Sequence, residues 1–255
     1  YLNPDSLTEG GTTIGGRSNV GIRIATTDSR KRFLRGSRDL RLFKGHEGHI
    51  TTASFSHDGL RVISGSLDGT VRVWDVQNEK QIKLLDVGHP INSLAVAPND
   101  DHVLIGSNQT TVDLWTIDGA EMIRQFKGHT FLVNSVRFNK DGTRAVSGSG
   151  DRTIRIWDVA TGAAVGILKG HTRAVNAVAM SADGQYILSG ADDTSVRLWD
   201  VKTGKQIAKF TGHIAPVRGV AISPDGHLGL SCGDDMTIRF WDIESSIRQF
   251  SKPIK

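Results

Sequence analysis

The chain has 255 residues, 38% of them hydrophobic and 23% charged, with a formal net charge of +4; this balance excludes a disordered, collagenous or membrane-embedded chain and leaves ample material for a large core. No run approaches the roughly 18 apolar residues of a membrane-crossing helix, and the opening YLNPDSLTEGG has neither the basic start nor the apolar stretch of a secretion signal. A single cysteine, Cys232, excludes a disulfide within the chain; lying in a strand pattern where other segments have a small residue, it is expected to be a buried, inert thiol. We therefore expect an intracellular, cytoplasmic protein.

In chain order, residues 1–44 come first and carry most of the charge imbalance. They hold nine Arg and Lys against four Asp and Glu, whereas the remainder holds 22 against 23. Glycines at 10, 11, 15 and 16 predict a loop-rich start. VGIRIATT (20–27) and RKRFLRG (30–36) alternate and are β-branched enough to be strands, and Leu40 to Phe43 reads as a further strand. The segment is either an eroded strand-bearing unit or an irregular lead-in. Its basic residues Arg30, Lys31, Arg32, Arg35, Arg38, Arg41 and Lys44 suit a solvated outer face or, less well, an acidic or nucleic-acid partner, for which no recognition motif is present.

From Gly45 the chain repeats. SGSLDGTVRVWD, SGSGDRTIRIWD, SGADDTSVRLWD and SCGDDMTIRFWD end at Asp75, Asp158, Asp200 and Asp242, and a weaker copy, IGSNQTTVDLWT, ends at Thr116. All five tryptophans fall in these copies, spaced by 41, 42, 42 and 42 residues; each copy follows a Gly-His pair, at His46, His89, His129, His171 and His213. A fixed period of this size means one supersecondary unit repeated. Within each unit an alternating run leads to a tight turn (Asp58-Gly59, Asn99-Asp100, Asp141-Gly142, Asp183-Gly184 and Asp225-Gly226), and Asp-Gly supplies the positive φ of a two-residue hairpin. A second strand ends near Ser-Gly, a third runs into Trp-Asp, and a fourth follows turns such as Thr161-Gly162. Residues 243–255 are expected to finish the last unit with a strand at IRQF.

These motifs resemble the WD-repeat (WD40) β-propeller family. The resemblance covers residues 45–242 and implies an all-β propeller of four-stranded antiparallel blades: five clear blades, starting near Gly45, Gly88, Gly128, Gly170 and Gly212, with residues 1–44 as a degenerate sixth blade or lead-in, against a family norm of seven. It also implies a role for four residues of fixed spacing. These are His46, Ser64, Asp68 and Trp74; His129, Ser147, Asp151 and Trp157; His171, Ser189, Asp193 and Trp199; and His213, Ser231, Asp235 and Trp241. Ser, His and Asp together suggest a hydrolytic triad, but four copies in one domain point instead to a buried hydrogen-bonded tetrad that rivets each blade. The unit at Gly88 departs from the pattern. Ile105 stands at the serine position, Gln109 at the aspartate position, the loop after His89 is two residues shorter, and Thr116 follows the tryptophan. That blade is held by apolar packing alone or has drifted to meet a partner.

No phosphate loop, HExxH or cysteine zinc spacing occurs, so no enzyme activity, cofactor or metal is expected. The resemblance places partner contacts on the loop after Gly-His and the turn before the tetrad aspartate. In this chain those positions are His49, Thr51 and Leu67; Pro90, Asn92 and Asn108; Phe131, Leu132, Asn134 and Gly150; Arg173, Ala174, Asn176 and Asp192; and Pro216, Arg218 and Asp234. Phe131 is either an apolar anchor for a partner or a cover for the blade rim. The expected function is a protein- or peptide-binding scaffold. A regulatory or substrate-recruiting module of a larger enzyme, or a nucleic-acid-associated subunit, are the other readings.

Overall fold

A computed structural model describes residues 41–251. The first blade is built from β1 (Ile50–Phe55), β2 (Arg61–Ser66), β3 (Thr70–Asp75) and β4 (Lys80–Asp86). The second holds β5 (Ile91–Val96), β6 (His102–Ser107), β7 (Thr111–Thr116) and β8 (Met122–Lys127). The third holds β9 (Val133–Phe138), β10 (Arg144–Ser149), β11 (Thr153–Asp158) and β12 (Ala164–Lys169), and the fourth β13 (Val175–Met180), β14 (Tyr186–Ala191), β15 (Val196–Asp200) and β16 (Gln206–Phe210). The fifth has three strands, β17 (Val217–Ile222), β18 (Leu228–Gly233) and β19 (Ile238–Asp242), followed by helix α1 (Ile243–Phe250). Every sheet pairs its strands antiparallel in sequence order. The turn residues Gly59, Asp100, Gly142, Gly184 and Gly226 all take positive φ, between 59° and 77°, so Asn-Asp serves the second blade as Asp-Gly serves the rest.

The strands β1, β5, β9, β13 and β17 stand side by side, and each blade packs face to face on the next. The second strands of the first four blades are therefore covered on both faces, and Val62 to Ser66 is buried along its whole length rather than alternating. The seam between blades repeats. A Cβ placed on Gly65, Gly106, Gly148 or Gly190 would stand 2.7, 2.9, 2.7 or 2.4 Å from a side-chain methyl of Ile91, Val133, Val175 or Val217 of the following blade. The glycine of each Ser-Gly pair is thus the seat for the first residue of the next blade, and any side chain there would displace it.

Three expectations are corrected. IRQF at Ile247–Phe250 is helical, not a fourth strand, although the same tetrapeptide at Ile123–Phe126 lies in β8. The difference lies upstream. Glu79, Ala120, Gly162 and Gly204, five residues after their tryptophans, take positive φ and turn the chain back, while Ser246 does not. Asp242 instead accepts from the Ser245 N–H as an N-cap, Glu244 lies in the first turn, and Arg248 pairs with Glu244 one turn on. Cys232 is exposed rather than buried, because it occupies the glycine seat of the last blade and no described blade follows it. Arg41 to Phe43 forms no strand, yet Phe43 is buried with its ring 5.6 Å from that of Trp74. The strands expected at 20–27 and 30–36 lie outside the described residues.

Gly190→Ala should lower the urea-unfolding midpoint by an amount equivalent to about 1–3 kcal/mol, the cost of overpacking a filled seam, and Gly190→Val should cost more. An unchanged midpoint for both variants would show that the seam is not filled.

Candidate functional site

Two structures share one end of the blades: a buried network within four of the five, and an exposed rim above it. In the third blade the Trp157 indole N–H donates to Ser147 Oγ at 2.8 Å, Ser147 Oγ lies 2.7 Å from His129 Nε2, and His129 Nδ1 lies 2.8 Å from Asp151 Oδ2. The first, fourth and fifth blades repeat this. Trp74, Trp199 and Trp241 each donate to Ser64, Ser189 and Ser231 at 2.8 Å. Those serines sit 2.8 Å from His46, His171 and His213, which reach Asp68, Asp193 and Asp235 at 2.8, 3.0 and 2.7 Å.

The chemistry fixes the proton positions. Indole can only donate and a carboxylate can only accept. Serine therefore accepts from tryptophan and donates to Nε2, and the histidine donates from Nδ1 to the aspartate. Each aspartate takes more. Asp151 also accepts the Thr130 and Thr153 backbone N–H groups at 3.0 and 2.9 Å and the Thr153 hydroxyl at 2.7 Å. Thr70, Ser195 and Thr237 supply the same hydroxyl to Asp68, Asp193 and Asp235. Burial opposes the charge on Asp68, Asp151 and Asp193, but these donors outweigh it and hold all three carboxyls well below the usual range. Burial pushes His46 and His171 down as well, more than Asp68 and Asp193 raise them, which favours the neutral ring.

A further member escaped the sequence reading. Arg72, Arg155, Arg197 and Arg239, two residues before each full-repeat tryptophan, lay a guanidinium beneath Gly45, Gly128, Gly170 and Gly212, where a Cβ would meet it at 2.6–2.7 Å. Arg72 and Arg197 bond Gln81 and Gln206 at 2.7 and 2.5 Å, and Arg155 stands 5.8 Å from the Trp157 ring centre. The repeated Val/Ile-Arg-x-Trp run was the available signal.

The second blade lacks the network. Ile105 is fully buried in the serine position, the Trp115 indole N–H is buried without a partner, His89 is exposed, and Gln109 lies far along an exposed turn. Asp113 replaces the arginine; burial raises its carboxyl, against hydrogen bonds from Thr111 and Gln125, and its Oδ1 has no hydrogen-bond partner. Apolar packing across the seam holds this blade, through Ile91, Leu94, Val103 and Ile105 against Ile63, Val71, Val73 and Leu85.

Above the networks, one backbone bond per blade closes the loop after His onto the turn before Asp: Leu67 to His49, Asn108 to Pro90, Gly150 to Leu132, Asp192 to Ala174 and Asp234 to Pro216, at 2.9–3.1 Å. This gathers the rim positions blade by blade. Thr51, Asn92, Asn134 and Asn176 turn sideways, and their side chains donate to the Ile91, Val133, Val175 and Val217 carbonyls of the next blade at 2.7–3.0 Å. They lock neighbouring blades as well as line the rim. Asn92 also bonds Asn108, and Asn176 bonds Asp192. Arg218 bridges Asp192 at 3.1 Å and Asp234 at 2.6 Å. Phe131 packs against Gly150, where a Cβ would meet the ring at 2.4 Å, and still leaves 57% of its surface open; Leu67 is exposed beside His49, and Arg173 is exposed. Of the basic N-terminal residues, Arg41 pairs with Glu79 at 3.6 Å and Lys44 is exposed, while Arg30 to Arg38 lie outside the described residues. Among the described residues no three His, Cys, Asp or Glu side chains are grouped to hold a metal ion, and no helix is long and apolar enough to cross a membrane.

Antiparallel blades packed side by side, four of the five pinned by a His–Ser–Trp–Asp network, define a β-propeller repeat array. The family model of the WD domain, G-beta repeat, matches residues 37–75, 80–116, 120–158, 162–200 and 204–242, and the chain belongs to that WD40 family. It is 28% identical over 145 residues to eukaryotic translation initiation factor 3 subunit I of Culex quinquefasciatus, covering 51% of this chain and 42% of that one. It is 34% identical over 113 residues to the same subunit of Pongo abelii, 39% and 35% of the two chains. It is 32% identical over 83 residues to small ribosomal subunit protein RACK1 of Medicago sativa, 32% and 25% of the two chains. The chain thus spans less than half the length of these curated relatives.

Two outcomes follow from the network. Asp151→Ala should destabilise by about 1–3 kcal/mol by stripping partners from a buried histidine, and Gln109→Ala by clearly less; equal losses in denaturant unfolding would count against the assignment. Acid should destabilise the fold. The depressed groups His46, His171, Asp68, Asp151 and Asp193 all bind protons more readily unfolded than folded. The urea midpoint should therefore be highest above about pH 6.5, begin to fall as the histidine range is crossed, and drop steeply below about pH 4 as unfolded carboxyls protonate. A midpoint that is flat or rises from pH 7 to pH 4 would contradict this.

Proposed function

We propose that this chain is an interaction platform that holds a protein or peptide partner on the rim above the tetrads. The carrying observation is the Phe131 ring, seated on Gly150 and half open, set beside side chains already fixed by hydrogen bonds. Binding loses less entropy when its contacts are preorganised, and Asn134, Asn176 and Arg218 are held before a partner arrives. Phe131, Leu132 and Leu67 supply apolar area; Asn108, Arg173, Asp192, Arg218 and Asp234 supply directional polar contacts around it. His49 and Thr51 extend the surface on the first blade. The names of the relatives support membership of a larger assembly, since they are called a subunit of an initiation factor and a protein of the small ribosomal subunit. No reaction is assigned to the chain, because the Ser–His–Asp sets are buried and consumed by their own hydrogen bonds.

Affinity capture of the natural partner tests this. Phe131→Ala and Arg218→Ala should each weaken capture by about thirtyfold, the loss of an anchor worth roughly 2 kcal/mol, with little change in thermal stability. Lys140→Ala and Gln185→Ala, exposed at the turns on the opposite end of the blades, should leave capture unchanged. Loss of capture in the second pair and not the first would place the partner on the other face.

A further inference from the structure

In four blades a third-strand arginine fills the space beneath the Gly-His glycine. A Cβ on Gly45, Gly128, Gly170 or Gly212 would stand 2.6 or 2.7 Å from a guanidinium nitrogen of Arg72, Arg155, Arg197 or Arg239. In the second blade that place belongs to Asp113, which is much shorter and of opposite charge, and a Cβ on Gly88 would meet nothing within 4 Å. The loop is also drawn toward the first blade, since the Val87 and Gly88 N–H groups donate to the Gly69 carbonyl at 3.0 and 3.2 Å. Gly88 and His89 are both exposed, so this space lies at the surface.

The groups behind it are polar and incompletely bonded. Asp113 is only 5% exposed; Thr111 and Gln125 hydrogen-bond it, but its Oδ1 has no partner. A carboxylate can only accept, so that oxygen calls for a donor. Among the described residues no Lys or Arg acts on its charge; the ionisable neighbour that does is His89. Trp115 lies two residues on, on the same face of β7. Its ring is partly open, whereas Trp74, Trp157 and Trp199 are at most 2% exposed. Gln81 and Gln206, which hold Arg72 and Arg197 from opposite their tryptophans, give way to Met122 opposite Trp115.

The other blades show what fits such a place. The Arg155 guanidinium carbon lies 5.8 Å from the centre of the Trp157 ring, a planar cation beside an aromatic face. In the second blade the indole is kept and a carboxylate is added, a pair that suits the flat, five-donor guanidinium better than an ammonium. The cation must then come from another molecule.

We propose that the second blade binds an arginine side chain of a protein or peptide partner beneath Gly88, its guanidinium paired with Asp113 and lying against the Trp115 ring. The site stands apart from the Phe131 surface of the third blade and does not rest on that reading. It also accounts for the broken network, because the arginine and histidine of a complete blade would fill the space that the guest needs.

The Trp115 indole N–H signal, assigned in two-dimensional NMR with Trp115→Phe, reads the site directly. In the unaltered chain the peptide acetyl-Gly-Arg-Gly-amide should shift it saturably, with a dissociation constant on the order of 1 mM, and leave the other four indoles in place. The same peptide with citrulline, a neutral isostere, should bind at least about tenfold more weakly, and Asp113→Asn should weaken the arginine peptide by at least about as much. The absence of a saturable Trp115 shift up to about 50 mM would overturn the proposal. Equal binding of the arginine and citrulline peptides, as for a space that takes only water or any polar group, would overturn it too, as would a response spread over all five indoles. The citrulline comparison uses the unaltered chain, so it decides the matter even where Asp113→Asn fails to fold.

Discussion

A serine hydroxyl sits at the centre of each complete blade, and its double duty sets much of what surrounds it. The indole above it can only donate and the bare imidazole nitrogen beside it can only accept, so Ser64, Ser147, Ser189 and Ser231 each pass polarity from strand to loop. The line ends on an aspartate that also gathers the backbone N–H after the histidine and the hydroxyl of the third strand. The second and third strands, the turn between them and the entering loop are thereby tied at one point. When the serine becomes Ile105, the consequences travel along the same line: the Trp115 indole loses its acceptor, His89 moves to the surface, and Gln109 has no imidazole to hold. The second blade then depends on the apolar seam, a non-directional contact that fixes position but not the orientation of the loops.

Between blades, two devices with different physics act in parallel. A β-branched residue fills the glycine seat of the preceding blade, and a side-chain amide or hydroxyl reaches across to the backbone carbonyl beside that same residue. Ser93 and Ser135 add a third link by accepting the Val136 and Val178 N–H groups of the next blade. The rim is consequently a set of loops closed within blades and clamped between them. A surface so fixed would present Phe131, Arg218 and their neighbours to the proposed partner at small entropic cost, which would connect the stability of the blades to binding.

The repeat period, the tetrads and the tight turns were legible because each recurs at constant spacing with a residue whose chemistry is restrictive: Trp, His, Asp and a glycine at positive φ. Other features were not. IRQF is a strand at Ile123–Phe126 and a helix at Ile247–Phe250, so the tetrapeptide itself decides nothing; the turn five residues past the tryptophan decides it. Cys232 looked buried because its counterparts are, but burial belongs to the neighbouring blade and not to the residue. The family resemblance gave Asn92, Asn134 and Asn176 as rim residues, whereas their bonds run sideways, a direction that a one-dimensional pattern does not contain. The third-strand arginines were visible as a repeat but carried no meaning until their place beneath the Gly-His glycine was known.

The proton arrangement is the account's most exposed element. It can be read by long-range proton–nitrogen correlation of the imidazole rings in the folded chain at neutral pH. The account predicts that His46, His129, His171 and His213 share one pattern, with the proton fixed on Nδ1 and Nε2 bare and accepting, and that His89 lies outside it. Four rings protonated on Nε2, or exchanging between the two forms, would contradict the relay from tryptophan to aspartate on which the blades are built.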